Sequence, residues 1–421
     1  MSDERKANLR TPARAAVVGL LAGLLVWARA PFAPRNFWGE DGARFFSHAL
    51  EDGWIEPIGR SLAGYYHLLP RLLGPLGTLV PIEWAPAAVF LGGAGAVAWL
   101  AASTWLADRS VGRGIAVLAL TPILLPITGF ESIANVANLH FLMLCATAVV
   151  LVGEQDGSGR RVNDGVLAVM TGLSSPTTLG LAPLAAARFW SDRREGRGTS
   201  SVVVCWAVGI GVQLLMVATM ADDGRDMASD RSLQKSGFLF LERVVSYNLV
   251  PFWPRITGED ASSVTAGLVL RALVGLAILA VVGLGLLWAV RGAWRRGDDR
   301  RAVLLVAVPA TAVCFFAAAS LLVGSEPRYA VFPAFCLVWT LLMLVAGRGI
   351  GVPVVAMGVV LLLAVVTHWV PSSLRRTGPT WRAGVEVAVE ECRADSGSVP
   401  EVPIIPDGWT VPLDCRHLDV D

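Results

Sequence analysis

Residues 302–323 read AVLLVAVPATAVCFFAAASLLV, a run without a charged side chain and long enough to cross a bilayer as a helix. The turn Ser325-Glu326-Pro327-Arg328-Tyr329 follows, and then a second charge-free run over 330–347. The whole 421-residue chain shares this bias: 54% of it is hydrophobic, only 16% is Asp, Glu, Lys or Arg, and the mean hydropathy is +0.58. A soluble protein must solvate its outer face, whereas a bilayer removes that need along each span. The expected fold is therefore all-α, a polytopic transmembrane helical bundle. A net charge of +1 offers no concentrated basic surface, so nucleic acid is not an expected partner.

Working outward from this pair, spans are expected at about 14–30, 84–107, 114–128, 136–153, 201–219, 263–290, 302–323, 330–347 and 350–369. The region 163–190 is read as a hairpin of two short arms broken near Ser174-Ser175-Pro176-Thr177-Thr178, with a single long span as the competing topology. The hairpin counted twice makes about 11 membrane segments. Basic clusters at Arg109 to Arg113, Arg160-Arg161, Arg188 to Arg197 and Arg291 to Arg301 are assigned to the cytoplasmic side. Arg5, Lys6, Arg10 and Arg14 precede the first span, and Ala28-Arg29-Ala30 is a poor cleavage motif, which favours a retained anchor with the N-terminus inside. A multipass domain over 1–370 then carries extracytoplasmic segments at 31–82 and 220–262, and a tail over 371–421 lies outside. Cys145, Cys205, Cys314 and Cys336 sit in apolar runs as space-fillers. Cys392 and Cys415 fall in the polar tail, where an oxidising compartment would let them form a disulfide.

The chemistry-bearing side chains gather next to the apolar runs. Phe37-Trp38-Gly39-Glu40-Asp41-Gly42-Ala43-Arg44 sets two carboxylates just beyond the first span, beside aromatic boundary anchors. Arg328 can hold a phosphate through charge-assisted hydrogen bonds, with Tyr329 adding a donor and Glu326 close enough to orient or compensate it. In Gly129-Phe130-Glu131-Ser132-Ile133-Ala134-Asn135-Val136-Ala137-Asn138-Leu139-His140, Asn135 and Asn138 share a helix face. His140 suits a phosphate or a sugar hydroxyl, though capping by Asn135 and simple packing of His140 compete with those roles. Arg60, His67 and Lys235 are further external polar candidates, Arg60 and Lys235 for contact with a charged head group. The chain contains no Walker A loop, dinucleotide-binding glycine fingerprint, H-E-x-x-H motif or G-x-S-x-G elbow. No metal ligand set and no cofactor are expected.

On these residues the chain resembles the GT-C superfamily of integral membrane glycosyltransferases, which carry an acidic motif in the first extracytoplasmic loop. The Glu40-Asp41 pair matches that placement, and Glu326-Pro327-Arg328-Tyr329 followed by Pro333 looks like a later motif near the lipid-donor site. The resemblance covers the topology of residues 1–370; the short tail departs from members that carry a large soluble domain. It implies a bacterial plasma-membrane enzyme moving a sugar from a polyprenyl-phosphate donor to a cell-envelope glycan or glycolipid with inversion. Asp41 is then the first choice of base and Glu40 the second, with Arg328 as the phosphate clamp, Tyr329 and His140 as its helpers, and Asn138 a further substrate-binding residue. Competing readings are a transporter or flippase of an amphipathic lipid-linked precursor, and an acyltransferase using His140 or His48. A structural scaffold is a further alternative.

Overall fold

In the computed structural model, the described residues are 12–107, 111, 114–129, 131–153, 157–219, 233–250, 266–322, 326–346, 359, 362–369 and 373–418. The chain is a multipass, mostly helical membrane protein. Among the described residues, six segments are long and apolar enough to cross a membrane: Pro12–Arg29, Ile82–Ala107, Ser201–Thr219, Val269–Arg295, Asp299–Ser320 and Pro327–Ala346. We name the helices α1 (Pro12–Arg29), α2 (Ser47–Asp52), α3 (Ala85–Ala107), α4 (Ile115–Leu124), α5 (Leu139–Val152), α6 (Ser158–Gly172) and α7 (Ala182–Arg194). They continue as α8 (Ser201–Thr219), α9 (Ala266–Arg295), α10 (Asp299–Leu322), α11 (Val331–Ala346) and α12 (Trp381–Ala394).

Six such segments, not eleven, correct the expectation from hydropathy. Helix α4 stops after ten residues at Leu124, where Pro126 opens a tighter turn. The region 163–190 divides between α6 and α7, of 15 and 13 residues, joined by a 3-10 turn over Pro176–Leu181. The polar groups of that break satisfy one another: Thr178 Oγ1 donates to the Thr171 carbonyl at 3.0 Å and Ser174 Oγ to Met170 at 2.7 Å. Much of the expected span at 350–369 lies outside the described residues, as does most of the segment 220–262.

Helix α5 shows why length alone misleads. It has 14 residues and every one is buried, so its partners are other helices instead of lipid. A helix enclosed by protein need not match the hydrocarbon thickness, because protein covers its polar ends. The contrast between spans is sharp: 83% of Pro327–Ala346 is buried, against 11% of Val269–Arg295, whose Leu276, Val281, Leu284 and Leu287 are exposed for lipid. Small residues permit the closest crossing. A Cβ at Gly172 of α6 would stand 2.7 Å from the backbone of Gly209 in α8, so neither glycine tolerates a side chain there.

The tail is a folded unit. Helix α12 buries Trp381, Val385, Ala388 and Cys392, one face at helical spacing, against a hairpin of β1 (Glu401–Ile404) and β2 (Trp409–Pro412). The strands pair antiparallel from Glu401 opposite Pro412 to Ile404 opposite Trp409. The Cys392–Cys415 disulfide ties the helix to the chain beyond the hairpin. The unit also docks on the segment after α1. Trp381 donates its backbone N–H to Asn36 Oδ1 at 3.1 Å and its indole N–H to the Ile82 carbonyl at 2.7 Å. Its ring packs edge-on against Phe37, and Ile405 donates to the Phe37 carbonyl at 3.3 Å.

Candidate functional site

The segment from Phe37 to Asp52 is wedged between the bundle and the tail. Residues Asp41–Phe46 form a π-helical turn that runs directly into α2, a local geometry frequent at functional sites. Gly42 is obligatory here, since a Cβ would lie 2.7 Å from Phe37 and 3.0 Å from Ile404. This close approach clamps the turn between Phe37, in the segment after α1, and Ile404 of the hairpin. Successive residues on a helix face different sides, and the two adjacent acids are separated in this way.

Asp41 faces inward and is 4% exposed. Its Oδ2 accepts the Val136 backbone N–H at 3.0 Å and its Oδ1 the Ala137 N–H at 2.9 Å. Burial pushes its carboxyl up to about 7, while those two bonds and the charge of Arg375 act to lower it. Arg375, buried in turn, donates to the Ala134 carbonyl at 2.9 Å and lies over the Trp38 ring at 4.8 Å. Asp41 thus fastens the 131–138 loop to the first segment.

Glu40 faces a different space, a cavity of about 650 Å³ at one end of the bundle. Arg44 and His48 line the same cavity, so the three side chains stand four residues apart along one helix face. Tyr65 and His67 contribute from the following loop, and Asn138, His140 and Phe141 from the start of α5. Arg328 and Tyr329 enter ahead of α11, and Trp409 of β2 closes another wall. Among the described residues the two non-glycine positions with positive φ, Ala63 (55°) and Ala134 (56°), both border this region. Ala63 lines the cavity, and Ala134 lies within the loop held by Asp41, where Arg375 donates to its carbonyl. Such strain costs ~1–3 kcal/mol each and collects at functional sites.

The charge inside is unevenly distributed. Arg328 Nη1 pairs with Glu131 Oε2 at 3.0 Å. Burial raises the Glu131 carboxyl, Arg328 opposes that shift, and Glu326 and Glu40 add like charge. Arg71 Nη1 contacts His48 Nδ1 at 2.9 Å. His140 Nδ1 lies 2.9 Å from the Ala137 carbonyl, which can only accept, so the neutral ring carries its proton on Nδ1.

Of the residues singled out from sequence, the fold brings Glu40, Asn138, His140, Arg328, Tyr329 and His67 to one cavity. Asp41 is beside it but turned away. Asn135 is buried and caps Asn138, accepting its N–H at 3.3 Å. Glu326 is exposed and outside the lining, and Glu131 pairs with Arg328 in the place expected for it. Arg60 is engaged on the surface with Asp52 and Glu56, each at 2.6 Å. The Lys235 side chain lies outside the described residues. Sequence reasoning missed Glu131, Trp409 and the joint role of Arg44 and His48. The spacing Glu40-x3-Arg44-x3-His48 was a usable signal for the last two, whereas nothing local marks Glu131 or Trp409. Among the described residues no group of three or more His, Cys, Asp or Glu could hold a metal ion.

The cavity and the arginines Arg194, Arg300 and Arg301 of the basic clusters occupy opposite ends. Helices α5 and α11 begin at the cavity, whereas Arg300 donates to the carbonyl of Val152 near the end of α5. Arg301 likewise donates to Met343 near the end of α11, and Arg194 pairs with Asp299 at the start of α10. No family model matches the chain, and no curated protein or solved structure matches it.

Proposed function

We propose that this protein is a membrane glycosyltransferase that moves a sugar from a polyprenyl-phosphate donor to a cell-envelope glycan or glycolipid, with Glu40 as the general base. One observation carries the reading: Glu40 shares a 650 Å³ polar cavity at one end of a membrane bundle with the cations Arg44 and Arg328. A carboxylate activates a hydroxyl, and a cation in the same cavity stabilises a phosphate as it departs. The resemblance to GT-C enzymes, with an acid just after the first span, supports the same assignment. The arginines Arg194, Arg300 and Arg301 at the far end of the bundle favour an extracytoplasmic cavity and a cytoplasmic N-terminus in a bacterial plasma membrane.

The reaction follows from this arrangement. The acceptor hydroxyl oxygen attacks the anomeric carbon from the face opposite the phosphate, and its proton passes to Glu40. The new C–O bond forms as the bond to the phosphate oxygen breaks. The polyprenyl phosphate leaves with the electron pair and the configuration inverts. Asp41 is replaced by Glu40 as the base in this proposal because both Asp41 oxygens already hold backbone N–H groups away from the cavity. Asn138, His140 and Tyr329 line the same cavity, and in this proposal they orient hydroxyls.

The test is transfer in liposomes holding the purified chain, defined polyprenyl-phosphate sugars and glycan or glycolipid acceptors. Product with inverted configuration, lost in Glu40→Gln, is the expected result. Movement of unchanged lipid-linked substrate across the bilayer without product would replace this reading with a flippase.

A further inference from the structure

The two arginines of the cavity are not equivalent. Arg328 is charge-balanced by Glu131 at 3.0 Å. Arg44 lines the cavity and is exposed there, with no carboxylate partner among the described residues. Behind it lies a stronger anomaly. Arg71 is 1% exposed, yet among the described residues its Nε and Nη2 have no hydrogen-bond partner and no acid faces it. Its surroundings are the Phe45 ring at 5.2 Å, Tyr66, and the like charges of Arg60 and Arg44. A buried guanidinium without a counter-charge is costly and calls for a compensating anion.

His48 connects that buried charge to the cavity. A guanidinium has donors and no acceptor, so the 2.9 Å contact requires His48 Nδ1 to accept from Arg71 Nη1. The ring proton of neutral His48 therefore sits on Nε2. Burial first, then Arg71, Arg60 and Arg44, push the imidazole down to about 4 against the opposing charge of Asp52. His48 is a neutral N–H donor at ordinary pH, in a cavity wall biased positive from behind.

We propose that Arg44 and His48, backed by Arg71, form the phosphate-binding subsite of the cavity, leaving the Arg328–Glu131 pair to bind uncharged hydroxyls. An anionic oxygen there accepts from the Arg44 guanidinium and from His48 Nε2, and supplies the negative charge that Arg71 lacks. The assignment rests on the transferase reading for the identity of the donor, not for the binding of phosphate itself. Glu40 is four residues from Arg44 on the same helix face, which puts base and phosphate site on one rigid element.

The experiment uses the full chain, labelled with 15N-histidine, in nanodiscs carrying either a polyprenyl phosphate in the lipid or inorganic phosphate in the buffer. The His48 signal is assigned by its absence in His48→Gln. Binding of phosphate is expected to move that signal and raise its titration midpoint from about 4 by at least one pH unit. Arg44→Gln should weaken binding at least tenfold and Arg44→Lys less, the lysine variant guarding against a folding defect. A response to the lipid alone identifies a lipid head group as the source, and a response to inorganic phosphate alone a soluble one. A silent His48 in both arms overturns the proposal, as does binding that depends on Arg328 and not on Arg44. Transfer assayed on the same samples separates the two ideas. Phosphate binding without transfer defeats the enzyme reading alone, and transfer with a silent His48 defeats the subsite alone.

Discussion

Glu40 and Asp41 are adjacent, carry the same functional group and stand in opposite environments. The Asp41 side of the turn is buried: the carboxyl is 4% exposed and holds two backbone N–H groups of another segment. The Glu40 side opens on a 650 Å³ cavity with arginines, histidines and a tryptophan around it. Stability and chemistry make different demands on a carboxylate. A group that organises a fold must have its lone pairs occupied, whereas a base must keep one available. The start of the π-helical turn at Asp41–Phe46 turns Asp41 inward and leaves Glu40, the residue before it, facing the cavity.

The largest predicted effect would break this comparison most directly. Glu40→Gln should lower transfer roughly 100- to 10,000-fold, the range for loss of a general base, with an unchanged melting temperature. Full activity in Glu40→Gln would end the division of labour. Next in size is the Cys392–Cys415 disulfide, whose partners are 23 residues apart. A loop of that length suggests about 3 kcal/mol of stabilisation. The tail packs on Phe37 and above Gly42, so Cys392→Ser should loosen the Glu40 and Asp41 sides together. Non-reducing thermal melts and amide exchange over residues 37–48 would show this. Protection lost on one side only would mean that the tail supports the two acids separately.

The legible and illegible parts of this molecule divide along the range of the forces involved. Runs such as 302–323 are readable because absence of charge is a local property that a bilayer demands everywhere along a span. The number of spans was not readable in the same way, since the 14 residues of α5 answer to surrounding protein and not to lipid thickness. Glu40, Asn138, His140, Arg328 and Tyr329 could be singled out as polar groups at the ends of apolar runs. Which acid faces the cavity depends on helix phase within a π-turn, which no local pattern announced. The Arg328–Glu131 pair and the Trp409 wall join segments far apart in the chain and follow only from tertiary packing.

The smallest effect concerns Asp41 and has a definite sign. Its carboxyl is raised from an ordinary value of 3.8 to about 7, with burial as the main cause. Between these values the folded chain retains a proton that the unfolded chain has released. The stabilising contribution is therefore fully present below about pH 4 and declines as pH rises toward 7, by at most about 1.4 kcal/mol per pH unit. Above that it is constant. Asp41→Asn removes this titration and one of the two acceptors facing Val136 and Ala137, at a cost of about 1–3 kcal/mol. Subtracting the stability profile of Asp41→Asn from that of the native chain cancels every other titrating group, including Glu131. The difference should fall between pH 4 and 7 and then level. A flat difference would mean that Asp41 remains ionised throughout, bringing its charge state, though not its position, closer to that of an exposed carboxylate.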